Sequence, residues 1–266
     1  MRSLSIKTDE EVEYLRQNNQ LVAATLAYIA TLIEPGVQTK VLDQCAEEFI
    51  RDHGAQPGFK GYEGFPYTLC VSVNDVVVHG FPSEYSLQEG DIVSVDCGTL
   101  MHGYYGDSAY TFGVGEISQE NKDLLRVTRE SLDLAIGSIK SGWRVGDIGA
   151  TIQAYVEDNG YGIVREMVGH GLGRDMHEQP EVPNYGRRGH GKALTPNLVL
   201  CIEPMVTLGK RFIYVDRDGW TVRTTDRKNA AHFEKAVVIS KDGAAEELTP
   251  YGEIVENLKK KGAWVS

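Results

Sequence analysis

The chain has 266 residues, with 27 Lys and Arg against 38 Asp and Glu, a formal charge of -11 and a pI near 5.1. That balance excludes the broad basic face needed to neutralise a phosphate backbone, and with it general binding to DNA. The 41% hydrophobic content, with no apolar run long enough for a membrane span or a secretion signal, predicts a soluble globular chain with its own core.

Residues 9–33 place Val12, Leu15, Val22, Leu26, Ile29 and Ile33 at helical spacing, and Thr8 with Glu11 has the pattern of a capping box. A Gly turn leads to a second helix over 39–52, which His53-Gly54 stops. Strands are expected over 68–79, 91–96 and 104–112, with a turn from Gly98 to Gly103. A second pair of helices, 118–139 and 146–158, turns at Gly142, and further strands cover 163–168, 198–203, 221–224 and 232–240. The four cysteines, Cys45, Cys70, Cys97 and Cys201, lack CxxC spacing and read as reduced thiols in the cytoplasm.

Two stretches repeat. Residues 33–43 align with 139–149 at an offset of 106, and 87–96 align with 194–203 at an offset of 107, which sets Asp96 on Glu203. Residues 1–266 therefore read as a single α+β domain with two pseudo-twofold halves, roughly 1–115 and 116–250, whose helices cover a curved, mostly antiparallel sheet. Such a repeat can build one site on its axis. Asp96 ends an apolar strand and Asp107 lies in the returning strand, so a hairpin can present both carboxylates on one face. Glu203 and Glu234 stand at the mouths of two other apolar strands, and His170 lies between glycines. Two Asp, two Glu and one His form an oxygen-rich set suited to two divalent first-row ions and poorly suited to structural zinc.

The motifs Asn74–Pro82, Gly90–Gly98, Gly103–Asp107, Gly169–Gly173, His177–Pro180, Ile202–Met205, Gly219–Val222 and Phe233-Glu234, taken together, resemble type I methionine aminopeptidase over nearly the whole chain. The resemblance implies the pita-bread fold, in a compact bacterial-like form, and a dinuclear metallopeptidase that removes the initiator Met when the second residue is small. Asp96 and Asp107 would bind one ion, His170 and Glu203 the other, with Asp107 and Glu234 bridging. Mn, Fe, Co and Zn all suit these ligands. A hydroxide held between the two ions would attack the scissile carbonyl, with Glu203 as general base. His177 would donate to the oxyanion and His79 would meet the scissile amide nitrogen. Tyr62, Phe65, Cys70 and Trp220 would line the pocket for the Met side chain. Met176 stands where relatives often have an aromatic. His232 shares a strand face with Glu234 and reads equally as a supporting donor or as an ordinary histidine, whereas His53, His102 and His190 read as structural.

The family's substrate is the N-terminus of a nascent chain, so the basic spots at Arg187-Arg188, His190 and Lys192, and at Lys259–Lys261, are candidates for weak ribosome contact by a monomer. X-Pro peptidases share the scaffold but usually add a separate N-terminal domain, and a metal-free binding module would have lost ligands that this sequence retains.

Overall fold

The structure, a computed structural model, describes residues 4–265. Helix α1 (Asp9–Leu32) opens on a complete capping box: the Thr8 hydroxyl accepts from the Glu11 N–H and the Glu11 carboxylate accepts from the Thr8 N–H. Leu15, Val22, Leu26 and Ile29 form its buried stripe, together with two amides that hydrophobic periodicity does not account for. Asn18 donates to the Tyr104 carbonyl at 2.6 Å, and Asn19 Oδ1 accepts from the Asp107 N–H at 3.0 Å. Polar positions inside α1 thus hold the backbone of the strand that carries Asp107.

Helices α2 (Thr39–Asp52), α3 (Gln119–Ser138) and α4 (Val145–Asp158) fall within one residue of the expected bounds. A further short helix, α5 (Gly252–Lys260), buries Ile254 and Leu258 in the main core, which also receives α1. Just beyond it, Lys261 Nζ donates to the carbonyls of Ala30, Thr31 and Ile33 at 2.7–3.3 Å. A cation at the end of α1 meets carbonyls that have no partner within the helix.

Every strand ladder among the described residues is antiparallel, and the strands divide into four hydrogen-bonded sheets rather than one. Ile92–Met101 pairs along its whole length with Tyr104–Gly113. The hairpin therefore turns on His102-Gly103 alone, both at positive φ, and the expected turn from Gly98 is too long. The expected strand 68–79 splits into Leu69–Val73 and Val76–Val78 because Asn74 takes φ 54°. The Asn74 amide bridges the Asp91 carboxylate and the Ile92 N–H, which holds that bend. The expected strand 163–168 shortens to Gly162–Ile163, leaving Met167 and Val168 irregular. Finally, 232–240 breaks at Phe233-Glu234 into Ala230–His232, which pairs with Met205–Thr207, and Lys235–Ile239, which pairs with Val199–Ile202. That break leaves Glu234 at the junction of two sheets.

Candidate active site

On the hairpin, Asp96 faces Ala109 and Asp107 faces Gly98, one pleat apart, so both carboxylates leave the same face. Cys70 sits directly across from Asp96 on the neighbouring strand. Ile202 and Lys235 pair at one end of their ladder, so Glu203 and Glu234 emerge side by side just past it. The Glu234 backbone is pinned: its N–H reaches the Ala109 carbonyl at 2.9 Å, and the Tyr251 hydroxyl lies 2.6 Å from its carbonyl. His170 lies on the short strand Gly169–Gly171, opposite Cys201. Its glycine neighbours are a packing requirement, since a Cβ at Gly169 would run into the Cys201 carbonyl and one at Gly171 into the Gln179 carbonyl.

The two halves meet within 4 Å. His170 Nε2 is 3.7 Å from both Asp107 Oδ2 and Glu203 Oε1, while its Nδ1 is 2.9 Å from the Gly171 carbonyl, which directs Nε2 toward the acids. His232 Nε2 lies 3.7 Å from Glu203 Oε2 and 3.9 Å from Glu234 Oε2. Burial, reinforced by the neighbouring carboxylates, drives Asp107, Glu203 and Glu234 well above the usual carboxylate range, and burial pushes Asp96 up to about 7. Burial likewise lowers His170 and His232 to about 3 and His79 to about 4, so these imidazoles are neutral.

Among the described residues, no Lys or Arg lines the cavity that these groups share. Buried oxygens of Asp96, Asp107 and Glu234, and Nε2 of His232, have no hydrogen-bond partner among the described residues. Four carboxylates crowded beside neutral imidazoles, with donor atoms left over, form a set that fits hard divalent cations. Cys201 stands within the same group as Asp107, His170 and Glu234, and burial with the nearby acids pushes its thiol up.

Metal uptake should accordingly be coupled to protons. Asp96, pushed up to about 7, and Asp107, Glu203 and Glu234, which are raised as well, hold protons that a cation must displace, so affinity should fall as the pH drops. The neutral His170 contributes no such release in this range. Titration calorimetry of Mn²⁺ in buffers of different ionisation enthalpy at pH 6 should show protons released on binding; zero release would contradict the assignment of Asp96 and its neighbours.

All eleven residues singled out from the sequence line this cavity: the five acids and imidazole, His79, His177, Tyr62, Phe65, Cys70 and Trp220. The Tyr62 hydroxyl is 2.9 Å from His177 Nδ1, and the His177 ring stands edge-on to that of His170 at 4.4 Å. Phe65 meets Trp220 edge-on at 5.1 Å, and Asp218 holds the Trp220 N–H at 2.9 Å. His79 has φ 57°, a left-handed backbone state uncommon outside glycine, and lies at the cavity wall. Phe59, Met167, Met176 and Met205 complete the apolar lining. Met205, two residues past Glu203, was legible from its position, whereas Phe59 and Met167 lie in segments without periodicity. His53 stacks on Phe49 at 4.2 Å, His102 packs against Tyr14 at 5.2 Å, and His190 is exposed; none of the three lines the cavity.

Residues 13–241 match the pattern of metallopeptidase family M24. The methionine aminopeptidase of Clostridium acetobutylicum is 49% identical over 239 residues, covering 90% of this chain and 96% of that protein. The crystal structure of methionine aminopeptidase from Thermotoga maritima superposes with a TM-score of 0.91 at 43% identity, over 93% of this chain and 99% of that one. An Xaa-Pro dipeptidase from Bacillus anthracis reaches only 0.74 at 25% identity, and the match spans 61% of its length. The architecture is thus the pita-bread fold, and the chain belongs to metallopeptidase family M24, among its bacterial-like type I methionine aminopeptidases.

Proposed function

We propose that this chain hydrolyses the peptide bond after an N-terminal methionine, on peptides and nascent chains whose second residue is small. The observation that carries the reading is one cavity with two unlike ends. One end is the acid and imidazole cluster, and the other is a wall of Tyr62, Phe65, Cys70 and Trp220 suited to an unbranched thioether. We read residues 1–266 as a single catalytic domain, because the acids come from the hairpin of one half and from strands of the other.

In this reading Asp96, Asp107, His170, Glu203 and Glu234 would hold two divalent ions, Asp96 and Asp107 one, His170 and Glu203 the other. When bound, such ions polarise the scissile carbonyl and acidify a water so that it is a nucleophile at neutral pH. The chain's own groups do the rest. Glu203 takes the proton of the attacking water and can return it to the leaving amine. His177, at the exposed rim, donates to the carbonyl oxygen as it gains charge, and the Tyr62 hydroxyl orients its ring. His79, held in its unusual backbone state beside Trp220, faces the scissile amide nitrogen. The aromatic wall excludes water from the side chain that it holds.

The test is hydrolysis of Met-Gly-X against Val-Gly-X and X-Pro peptides. Met-Gly-X should be cleaved, the norleucine analogue tolerated, and Val-Gly-X slower in kcat/KM on the order of 100-fold. Activity should vanish on chelation and return with Mn²⁺ or Co²⁺; equal cleavage of Val-Gly-X and Met-Gly-X would refute the pocket. The free state of all four cysteines supports a reducing, cytoplasmic setting, and no helix among the described residues is long and apolar enough to cross a membrane. For delivery of nascent chains we favour a weak ribosome contact through the exposed Arg187, Arg188 and Lys192, since the Lys261 ammonium is engaged with α1.

A further inference from the structure

The ligand set assigned above uses one imidazole. A second, His232, points into the same cluster from the opposite side and has no role in that assignment. We infer that His232 is a direct nitrogen ligand of an ion held with Glu203 and Glu234; the inference rests on the metallopeptidase reading.

Three observations carry it. First, His232 is 2% exposed, and its Nε2 has no hydrogen-bond partner among the described residues. An orphaned ring nitrogen at such a depth is costly unless something binds it. Second, the distances suit a shared ion better than direct contact. Nε2 stands 3.7 Å from Glu203 Oε2 and 3.9 Å from Glu234 Oε2, beyond hydrogen-bond range for either. Two donors each about 2.1 Å from one ion lie roughly 3.4 Å apart in a tetrahedral site and farther at wider angles. One nitrogen and two carboxylate oxygens here lie within 4.8 Å of one another. Third, the position is built. The His232 N–H donates to Thr111 Oγ1 at 3.0 Å and its carbonyl accepts from the same hydroxyl at 2.6 Å, which locks the backbone against the Asp107 hairpin. The chain break immediately after His232 then lets Glu234 turn into the same space.

The geometry is also symmetrical in its logic. Glu203 presents Oε1 to His170 and Oε2 to His232, each at 3.7 Å, so one carboxylate lies between two imidazoles. A second nitrogen donor would favour borderline ions such as Co²⁺ and Zn²⁺ over Mn²⁺ at this position, since imidazole is a softer ligand than carboxylate.

The decisive measurement uses the unaltered protein. With two equivalents of Co²⁺ bound, proton NMR should show two hyperfine-shifted, solvent-exchangeable imidazole N–H signals, one each from His170 and His232. A single signal would overturn the inference while leaving the metallopeptidase reading intact. Failure to bind two equivalents at all would instead count against that reading. In parallel, His232→Gln keeps a polar side chain of similar reach without the ring nitrogen. Calorimetry should show one Co²⁺ site lose affinity by about tenfold or more, with the other unchanged, and the Co²⁺ selectivity over Mn²⁺ reduced. Unchanged affinities at both sites would also overturn the inference.

Discussion

Glu203→Gln is expected to lower kcat for Met-Gly-X by about 10²–10⁴-fold, equivalent to about 2.7–5.4 kcal/mol of transition-state stabilisation. The carboxylate is largely enclosed, its two oxygens each 3.7 Å from an imidazole, and burial together with Asp107 and Asp96 holds its proton affinity well above that of an ordinary carboxyl. The amide keeps the shape and one oxygen, so the variant should fold, but it can neither accept the proton nor neutralise a cation. It should therefore lose rate and metal affinity together, with metal content falling below that of the parent at equal free Co²⁺. Metal analysis beside steady-state kinetics separates the two losses. If saturating Co²⁺ restored parental turnover, Glu203 would be a ligand only, and the base would have to be sought elsewhere in the cavity.

His177→Ala should behave differently. His177 lies at the exposed rim, outside both groups of side chains close enough to share an ion, and its ring is oriented by Tyr62 at 2.9 Å. Loss of one oxyanion donor typically costs 10²–10³-fold in turnover, about 2.7–4 kcal/mol, because the interaction is made mainly in the transition state. KM should change much less, and metal stoichiometry should match the parent. Tyr62→Phe, which removes only the orienting hydroxyl, should give a smaller loss in the same direction. A His177→Ala protein that loses an ion, or that retains parental kcat, would falsify the role assigned to His177. The contrast with Glu203→Gln is informative because the two residues share a cavity yet are predicted to differ in every observable except lowered turnover.

What the amino-acid order determined by itself is the local grammar of the fold and the chemical character of the site. Helical periodicity with a capping box placed α1 to within a residue, because side chains three and four positions apart share a face whatever the rest of the chain does. Alternation in the 92–96 strand put Asp96 on the face away from Val93 and Val95, because a pleat admits only two faces. The acids and the histidine read from the strand ends, with the pocket and histidine residues that the family resemblance implied, are eleven of the residues that line one cavity. The strand ends were less legible. Asn74 breaks a continuous apolar run only because Asp91 and Ile92 arrive to bond its amide, and Phe233-Glu234 interrupts another because the residues on either side pair with different strands. Both bends depend on partners distant in sequence, which no local pattern encodes. The same holds for Asn18 and Asn19, polar residues on a buried helix face that make sense only once the Asp107 hairpin packs against them. His232 is the clearest case. In the sequence its strand face was readable but its purpose was not, since a donor and an ordinary buried histidine look alike. Only the tertiary structure set its ring nitrogen, unpartnered and buried, opposite His170 across Glu203, because three segments from two sheets had first to converge there.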